Sequence, residues 1–310
     1  MESIQHKVNL SIGTLLMPVP DDALLLQYEQ LNNGSAFVLL DSTVIEITGD
    51  DRQAFLHNFC TNEIKALNAG HACEAFVLNG KGKTIAHVHV LNAGNSLVLH
   101  GVAGIGPGLV EHLDRYIIRE DVQLSDVSAL KKVTFTPGKS LLDPNRVSMD
   151  STSSTIEANV EIADFGNLLI GLPDTDVDGT EASSEALEML RVEKRTPWFG
   201  RDIDDSNLPQ ELLRDDKAIS FNKGCYLGQE TVARIDAMGK VNRVLVAVSV
   251  ETELTVGSEI MVEDKTMGKL TSIAWSPSQD SWIGMAIVRR PQEIVGSVLS
   301  SNGVKVTVMK

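Results

Sequence analysis

Polar and apolar positions change their period several times along the chain. Residues 37–40 and 43–48 read as strands rich in β-branched and aromatic side chains, separated by the polar pair Asp41 and Ser42. Gly49-Asp50-Asp51 then opens a helix over 52–60, where Ala54, Phe55 and Phe59 recur at helical spacing and acids sit at its start. Residues 74–79 and 84–91 predict a hairpin around Gly80-Lys81-Gly82, and 96–100 adds a strand. A helix over 107–119 carries Pro107 near its start and Val110, Leu113, Ile117 and Ile118 on one face. A second helical stretch covers 186–194 and stops before Pro197. Residues 144–154, rich in Asp, Asn and Ser, read as an internal loop.

Beyond Asn242 the texture becomes short, β-rich and turn-punctuated, at 244–250, 259–262, 268–275, 282–288 and 304–308. That spacing predicts a small β-barrel or sandwich of roughly 70 residues, with a boundary near 240. The class is α+β.

Composition narrows the function. A chain of 310 residues buries enough apolar surface to fold without disulfides or metal. With 27 Lys+Arg against 42 Asp+Glu the net charge is -15, which repels phosphate backbones and anionic lipid. Neither a nucleic acid nor a membrane is an expected direct partner. Three scattered cysteines do not make a secreted framework, and the start has no basic stretch followed by a long apolar core. A reduced, cytoplasmic setting is the expectation. The acidity is uneven: residues 151–220 carry a net -10 and 221–310 a net +1, so the sign changes near 221.

Two glycine-rich stretches resemble phosphate loops and fail in detail. Gly82-Lys83-Thr84 lacks the earlier glycine, since position 77 is Val. Gly104-Ile105-Gly106-Pro107-Gly108 has Leu at position 109 and opens no βαβ unit. A hairpin turn and a helix start explain them. His87 and His89 leave the same strand face, which suits either a partly exposed edge strand or two ligands of a metal. No third ligand of suitable spacing appears, so no metal is expected. Cys60 and Cys73 read as core residues.

The informative stretch is Lys223-Gly224-Cys225-Tyr226-Leu227-Gly228-Gln229-Glu230, followed by Thr231-Val232-Ala233-Arg234. A thiol before a helix N-terminus and close to a lysine is expected to favour its thiolate. Gln229, Glu230 and Arg234 add polar and charged groups within two helical turns. A glycine turn with a buried cysteine and an ordinary capped helix would account for the same letters.

This stretch resembles the signature of the YgfZ-type folate-binding proteins, relatives of the glycine-cleavage T-protein (aminomethyltransferase) that include the iron–sulfur assembly branch. Residues 49–56 with Thr61-Asn62-Glu63, residues 78–83, Leu190-Arg191-Val192-Glu193 with Pro197 and Gly200, and Gly268-Lys269-Leu270-Thr271-Ser272 are similar to further blocks of that family. Roughly 36–310 is covered.

The resemblance implies two interleaved α+β units, about 1–50 with 125–240 and 51–124, plus a β-barrel over 241–310, ringed around a central channel. It implies tetrahydrofolate or a one-carbon derivative as cofactor and Glu193 as reader of the pterin ring. Arg191, Lys223, Tyr226, Gln229 and Arg234 become further cofactor-binding residues, and Cys225 the working thiol. Iron–sulfur client or assembly proteins are the implied partners. One departure stands out: where the aminomethyltransferase has an Asp-Asp pair after the hairpin, this chain has Ala86 and His87. True glycine cleavage is therefore not expected, and a folate-dependent transferase with another donor, or a folate sensor, remain as alternatives.

Overall fold

The computed structural model describes residues 19–150, 152–239 and 241–309. Helix α1 (Asp22–Asn32) starts where the Asp21 carboxylate accepts from the Leu24 N–H, and β1 (Ala36–Leu39) follows. Next come β2 (Ser42–Thr48), α2 (Arg52–His57), β3 (His71–Leu78), β4 (Thr84–Asn92) and β5 (Leu97–Val102). Then come α3 (Gly106–Asp114), β6 (Gln123–Asp126), β7 (Lys132–Pro137), β8 (Val147–Asp150), β9 (Thr155–Glu161), β10 (Phe165–Gly171) and β11 (Thr180–Ala182). Helix α4 (Ser184–Glu193) is capped by the Ser183 hydroxyl, and α5 (Asp215–Ala218) and α6 (Gln229–Met238) complete this part. Strands β12 (Arg243–Val250), β13 (Glu259–Val262), β14 (Lys265–Ser276), β15 (Ser281–Arg289), β16 (Val298–Ser301) and β17 (Val304–Val308) close the chain.

Pairing sorts the strands into three bodies. One sheet runs β11-β1-β7-β10-β9-β8, a second runs β3-β4-β5-β2-β6, and β12 to β17 form a closed six-stranded barrel. The fold is α+β, with two interleaved α+β units and a C-terminal barrel. Strand pairing moves the expected changeover: β2 pairs with β5 and β6, so the chain leaves the first sheet at residues 40–41, not near 50. The polar pair Asp41-Ser42 is where it turns. The stretch read as a loop at 144–154 contains β8, which pairs with β9 as an edge strand. The Asp150 carboxylate accepts from the Thr152 N–H and the Thr152 and Ser153 hydroxyls, so these polar residues build a turn.

One side chain joins the parts. Arg191, on α4, is fully buried, and each of its five N–H groups donates to an oxygen. Nε and one terminal nitrogen hold the Glu188 carboxylate at 2.9 and 2.5 Å. The other N–H groups reach the Thr196 carbonyl (2.9 Å), Asp202 (2.7 Å) and the Ser272 hydroxyl (2.7 Å). Asp202 in turn accepts from the Thr271 and Ser272 hydroxyls, both at 2.7 Å. The register of β14 against β15 shifts between Leu270 and Ser272, which presents both hydroxyls to Asp202. Glu193 adds a second tie, accepting from Tyr28 on α1 and from Ser276 on β14 at 2.9 Å.

Removing a partner from a buried ionic cluster costs about 3–5 kcal/mol, because the remaining charges are left uncompensated. Arg191→Ala is expected to lose stability of that order in denaturant unfolding. Arg191→Lys should recover only part of it, since an ammonium has three donors where the guanidinium has five.

Candidate functional site

The five-stranded sheet has two unlike faces, set by alternation along β3, β4 and β5. Val77, Ala86, Val88, Val90, Leu97 and Leu99 join the core under α2 and α3. The other face begins and ends apolar, with Leu91 and Val98 against the first sheet and Phe76 and Leu78 against Tyr226. Between them lies a polar band. Glu74, His89 and His100 stand opposite one another across three strands, and His87 is one pleat further along β4. Strand β4 is an interior strand, so the histidines do not sit on an edge.

Glu74 is buried and clamped. His87 Nε2 donates to it at 2.6 Å, Arg214 Nε at 2.5 Å, and a second guanidinium nitrogen closes a two-point pair. Burial opposes the charge on Glu74, but the contacts with His87 and Arg214 outweigh it and hold the carboxyl far below the usual range. Because Glu74 is ionised and can only accept, the shared proton belongs to His87 Nε2, leaving Nδ1 without a partner among the described residues. Burial pushes His89 down to about 4 and His100 down to about 3, so both rings are neutral at physiological pH.

This polar band lines a cleft of about 210 Å³ that opens to solvent. Residues 196–199, Arg201, Glu161 and Ile162 line it as well. Trp198 presents an aromatic face with the Arg191 and Arg201 guanidiniums 5.0 and 5.6 Å from its ring centre. Three buried polar atoms of lining residues have no partner among the described residues: His89 Nε2, His100 Nδ1 and Thr196 Oγ1. Buried polar atoms are nearly always satisfied, so a cleft lined by three such residues is suited to a polar, ring-shaped guest. No barrel residue lines it among the described residues.

The cysteine segment is built separately. Lys223 is buried, and its ammonium donates to the carbonyls of His57, Cys60 and Asn62 at 2.6–2.7 Å, just past the C-terminus of α2. Tyr226 packs against Phe76 and Leu78. Gly228 has a positive φ of 81°, and a Cβ there would lie 2.6 Å from the Asn79 carbonyl and 2.9 Å from Gly82 Cα. Gly82 is tight in return, with Thr231 Cβ 2.6 Å away. The hairpin turn and the start of α6 thus fit together only through two glycines. Cys225 stands exposed between these anchors.

Residues 243–309 match the family model of the glycine cleavage T-protein C-terminal barrel domain. A chloroplastic Arabidopsis thaliana protein, named as a transferase, is 25% identical over 83% of this chain. This chain spans only 65% of the length of that relative. The tRNA-modifying protein YgfZ of Aliivibrio fischeri is 28% identical over 71% of this chain and 73% of its own. The crystal structure of the glycine cleavage system aminomethyltransferase T from Bartonella henselae superposes with a TM-score of 0.81, covering 93% of this chain and 88% of that one at 16% identity. The chain is thus similar in sequence to YgfZ-named proteins over most of its length and carries the fold of the glycine cleavage aminomethyltransferase.

Within this fold, the working thiol and the residues expected to bind a cofactor fall in three places, none lining the cleft. Lys223, Cys225, Tyr226 and Gln229 form one local segment, with Lys223 and Tyr226 anchoring it. Arg234, exposed on α6, borders a separate hollow with Leu208 and Met238. Arg191 and Glu193 lie on α4 with their polar atoms engaged by protein groups. The lysine expected beside the thiol instead holds backbone carbonyls, and burial lowers its pKa. Sequence reading missed Glu74, His100, Thr196, Trp198 and Arg214. The alternation His87-Val88-His89 was the visible signal, but only strand order reveals His100 as its neighbour.

Acid should expose the wall. As pH falls from 6.5, the unfolded chain protonates histidines that the folded chain keeps neutral until about 4 and 3, so folding stability declines across that window. His100→Phe removes one such group and is expected to flatten the decline in urea unfolding measured from pH 7 to 4. An unchanged slope would mean that the ring titrates normally in the folded state.

Proposed function

We propose that this protein binds tetrahydrofolate or a one-carbon derivative in the cleft between its two sheets, and supports assembly or repair of iron–sulfur enzymes through Cys225. The observation that carries the first half is the cleft itself: Trp198 and Phe199 line it together with His89 and His100, neutral imidazoles with unmet polar atoms. A flat nitrogen heterocycle fits that chemistry better than a phosphate, for which the described lining offers a single cationic side chain, Arg201. Arg201 is half-exposed and paired with Glu188 at 2.7 Å, a suitable partner for the carboxylates of a folate tail. Names of aminomethyltransferase and YgfZ relatives support the same direction.

The second half rests on separation. Cys225 is the exposed cysteine of three, on a segment pinned on both sides, so a thiol is held out for another molecule. Glu193 and Arg191 keep α4 joined to the barrel, while Gln229 and Arg234 lie on α6, the helix that follows the thiol. With a net charge of -15, the chain does not grip RNA itself, so an effect on tRNA modification would run through client enzymes.

A second reading, a folate-dependent one-carbon transferase, is favoured by His87, whose free Nδ1 and Glu74-held Nε2 resemble an oriented acid–base group. Consumption of 5,10-methylene- or 5-formyl-tetrahydrofolate by the purified protein would select it.

Calorimetry with tetrahydrofolate is expected to give one site per chain. Absence of binding would overturn the folate reading. Cys225→Ala should keep both melting temperature and tetrahydrofolate affinity yet fail to restore iron–sulfur enzyme activity in a deletion strain. Full rescue by that variant would remove the thiol from the function.

A further inference from the structure

The cleft presents its ligand with an unusual choice of polar groups. Glu193, the carboxylate expected to read a pterin edge, already accepts from Tyr28 and Ser276 and does not line the cleft. Glu161, which does, is held by Lys217 at 2.6 Å and by Arg214 at 3.4 Å. Asp41 stands exposed at the mouth. What covers the floor is imidazole: His87, His89 and His100, on adjacent strands of a rigid sheet.

We infer that the polar edge of the bound ring is read by this histidine row, with the Thr196 hydroxyl, and not by a carboxylate; the inference rests on the folate reading and names the residues that give it specificity. Three observations support it independently of one another. The rings are fixed: His87 stacks on Phe76 at 4.7 Å and is tied to Glu74, and His89 lies beside His100 with ring centres 5.9 Å apart. Unmet polar atoms occur on His89, His100 and Thr196, three neighbours in one cleft. Burial keeps His89 and His100 uncharged, so they offer hydrogen bonds without attracting anions.

One nitrogen of each ring is already engaged, by Glu74 for His87, by the Glu161 backbone for His89 and by Ser42 for His100, so each ring offers the ligand its other nitrogen. A row of them suits a heterocycle whose edge alternates N–H donors with ring-nitrogen or carbonyl acceptors, as an amino-pyrimidinone does. A carboxylate would favour donors alone. The row therefore selects a neutral ring edge, and leaves the charged tail to the mouth of the cleft, where Arg201 stands.

The test uses the full chain and two probes, tetrahydrofolate and the ring-only 6-methyltetrahydropterin. His89→Phe keeps ring volume and removes both nitrogens, leaving the ligand edge unpaired, so affinity for both probes should fall about tenfold to a hundredfold. His89→Gln, which restores a donor and an acceptor, should recover part of it. Glu193→Gln should bind both probes within about threefold of wild type. Wild type that binds neither probe overturns the folate reading and this inference together. Normal affinity in His89→Phe, or a loss that follows Asp41→Asn or Glu193→Gln instead, overturns the histidine assignment alone. A loss seen with tetrahydrofolate but not with the pterin also overturns it, because the histidine would then touch the tail. If His89→Phe fails to fold, nitrogen NMR of the labelled wild-type imidazoles decides the question: the probes must shift the His89 or His100 ring nitrogens, and unmoved resonances at saturating probe reject the assignment.

Discussion

The Arg191 guanidinium sits where water does not reach, and every one of its N–H groups meets an oxygen drawn from α4, the segment after it, or the barrel. A charge can be held in such a place only if its whole hydrogen-bonding capacity is matched, because each unmet donor would carry a full desolvation penalty. That condition dictates much else. Asp202, which accepts from the guanidinium, must itself be satisfied, which it is by Thr271, Ser272 and the Trp198 N–H. Trp198 is thereby fixed as one wall of the cleft, and the barrel, which lines none of it, acts as a buttress for that wall.

The sheet side of the cleft obeys a similar rule with a different outcome. Glu74, His89 and His100 stand in one row across the sheet, so a band of polar groups crosses a face that is apolar above and below. Only Glu74 is charged and buried, and it is neutralised by Arg214, whose guanidinium arrives 140 residues later in the chain. The neighbouring histidines give up their charge because burial outweighs the pull of Glu74 on His89 and leaves His100 without a compensating anion. One face thus holds a saturated ionic pair and, one strand away, hydrogen-bonding groups left unmet. Stability and binding capacity are divided between adjacent strands.

How much of this could be read from the letters follows from whether the cause is local. The hairpin turn, the β-rich C-terminal barrel and the helix before Pro197 are each encoded by spacing within ten residues or so, and they formed as expected. The glycines of the hairpin and of the cysteine segment have a reason: Gly82 and Gly228 fit together where no side chain could. What local pattern could not convey is partnership. Lys223 reads as a free cation beside a thiol, yet its ammonium is bound by three carbonyls from residues 57–62. Glu193 reads as an available carboxylate, yet Tyr28 and Ser276 occupy it from elements 165 and 83 residues distant. Both errors treat a charged side chain as unpartnered, and a charge near the interior of a folded chain seldom is.

The β3–β4 hairpin links the two separate regions physically. Its tip, from Asn79 to Gly82, packs on the start of α6 beside the cysteine segment, and Thr231 on α6 donates to the Lys81 carbonyl at 3.1 Å. Its body carries Glu74, His87 and His89 into the cleft wall. A β-hairpin with this many cross-strand pairs is stiff along its strands, so the histidines and the motif helix hold fixed positions relative to each other. Segment 217–223 reinforces this from below, where Thr61 donates to the Ala218 carbonyl at 2.6 Å and Asn62 to the Lys217 carbonyl at 2.9 Å. The cleft and the exposed thiol are two ends of one hairpin, which is why they can serve different molecules without sharing a wall.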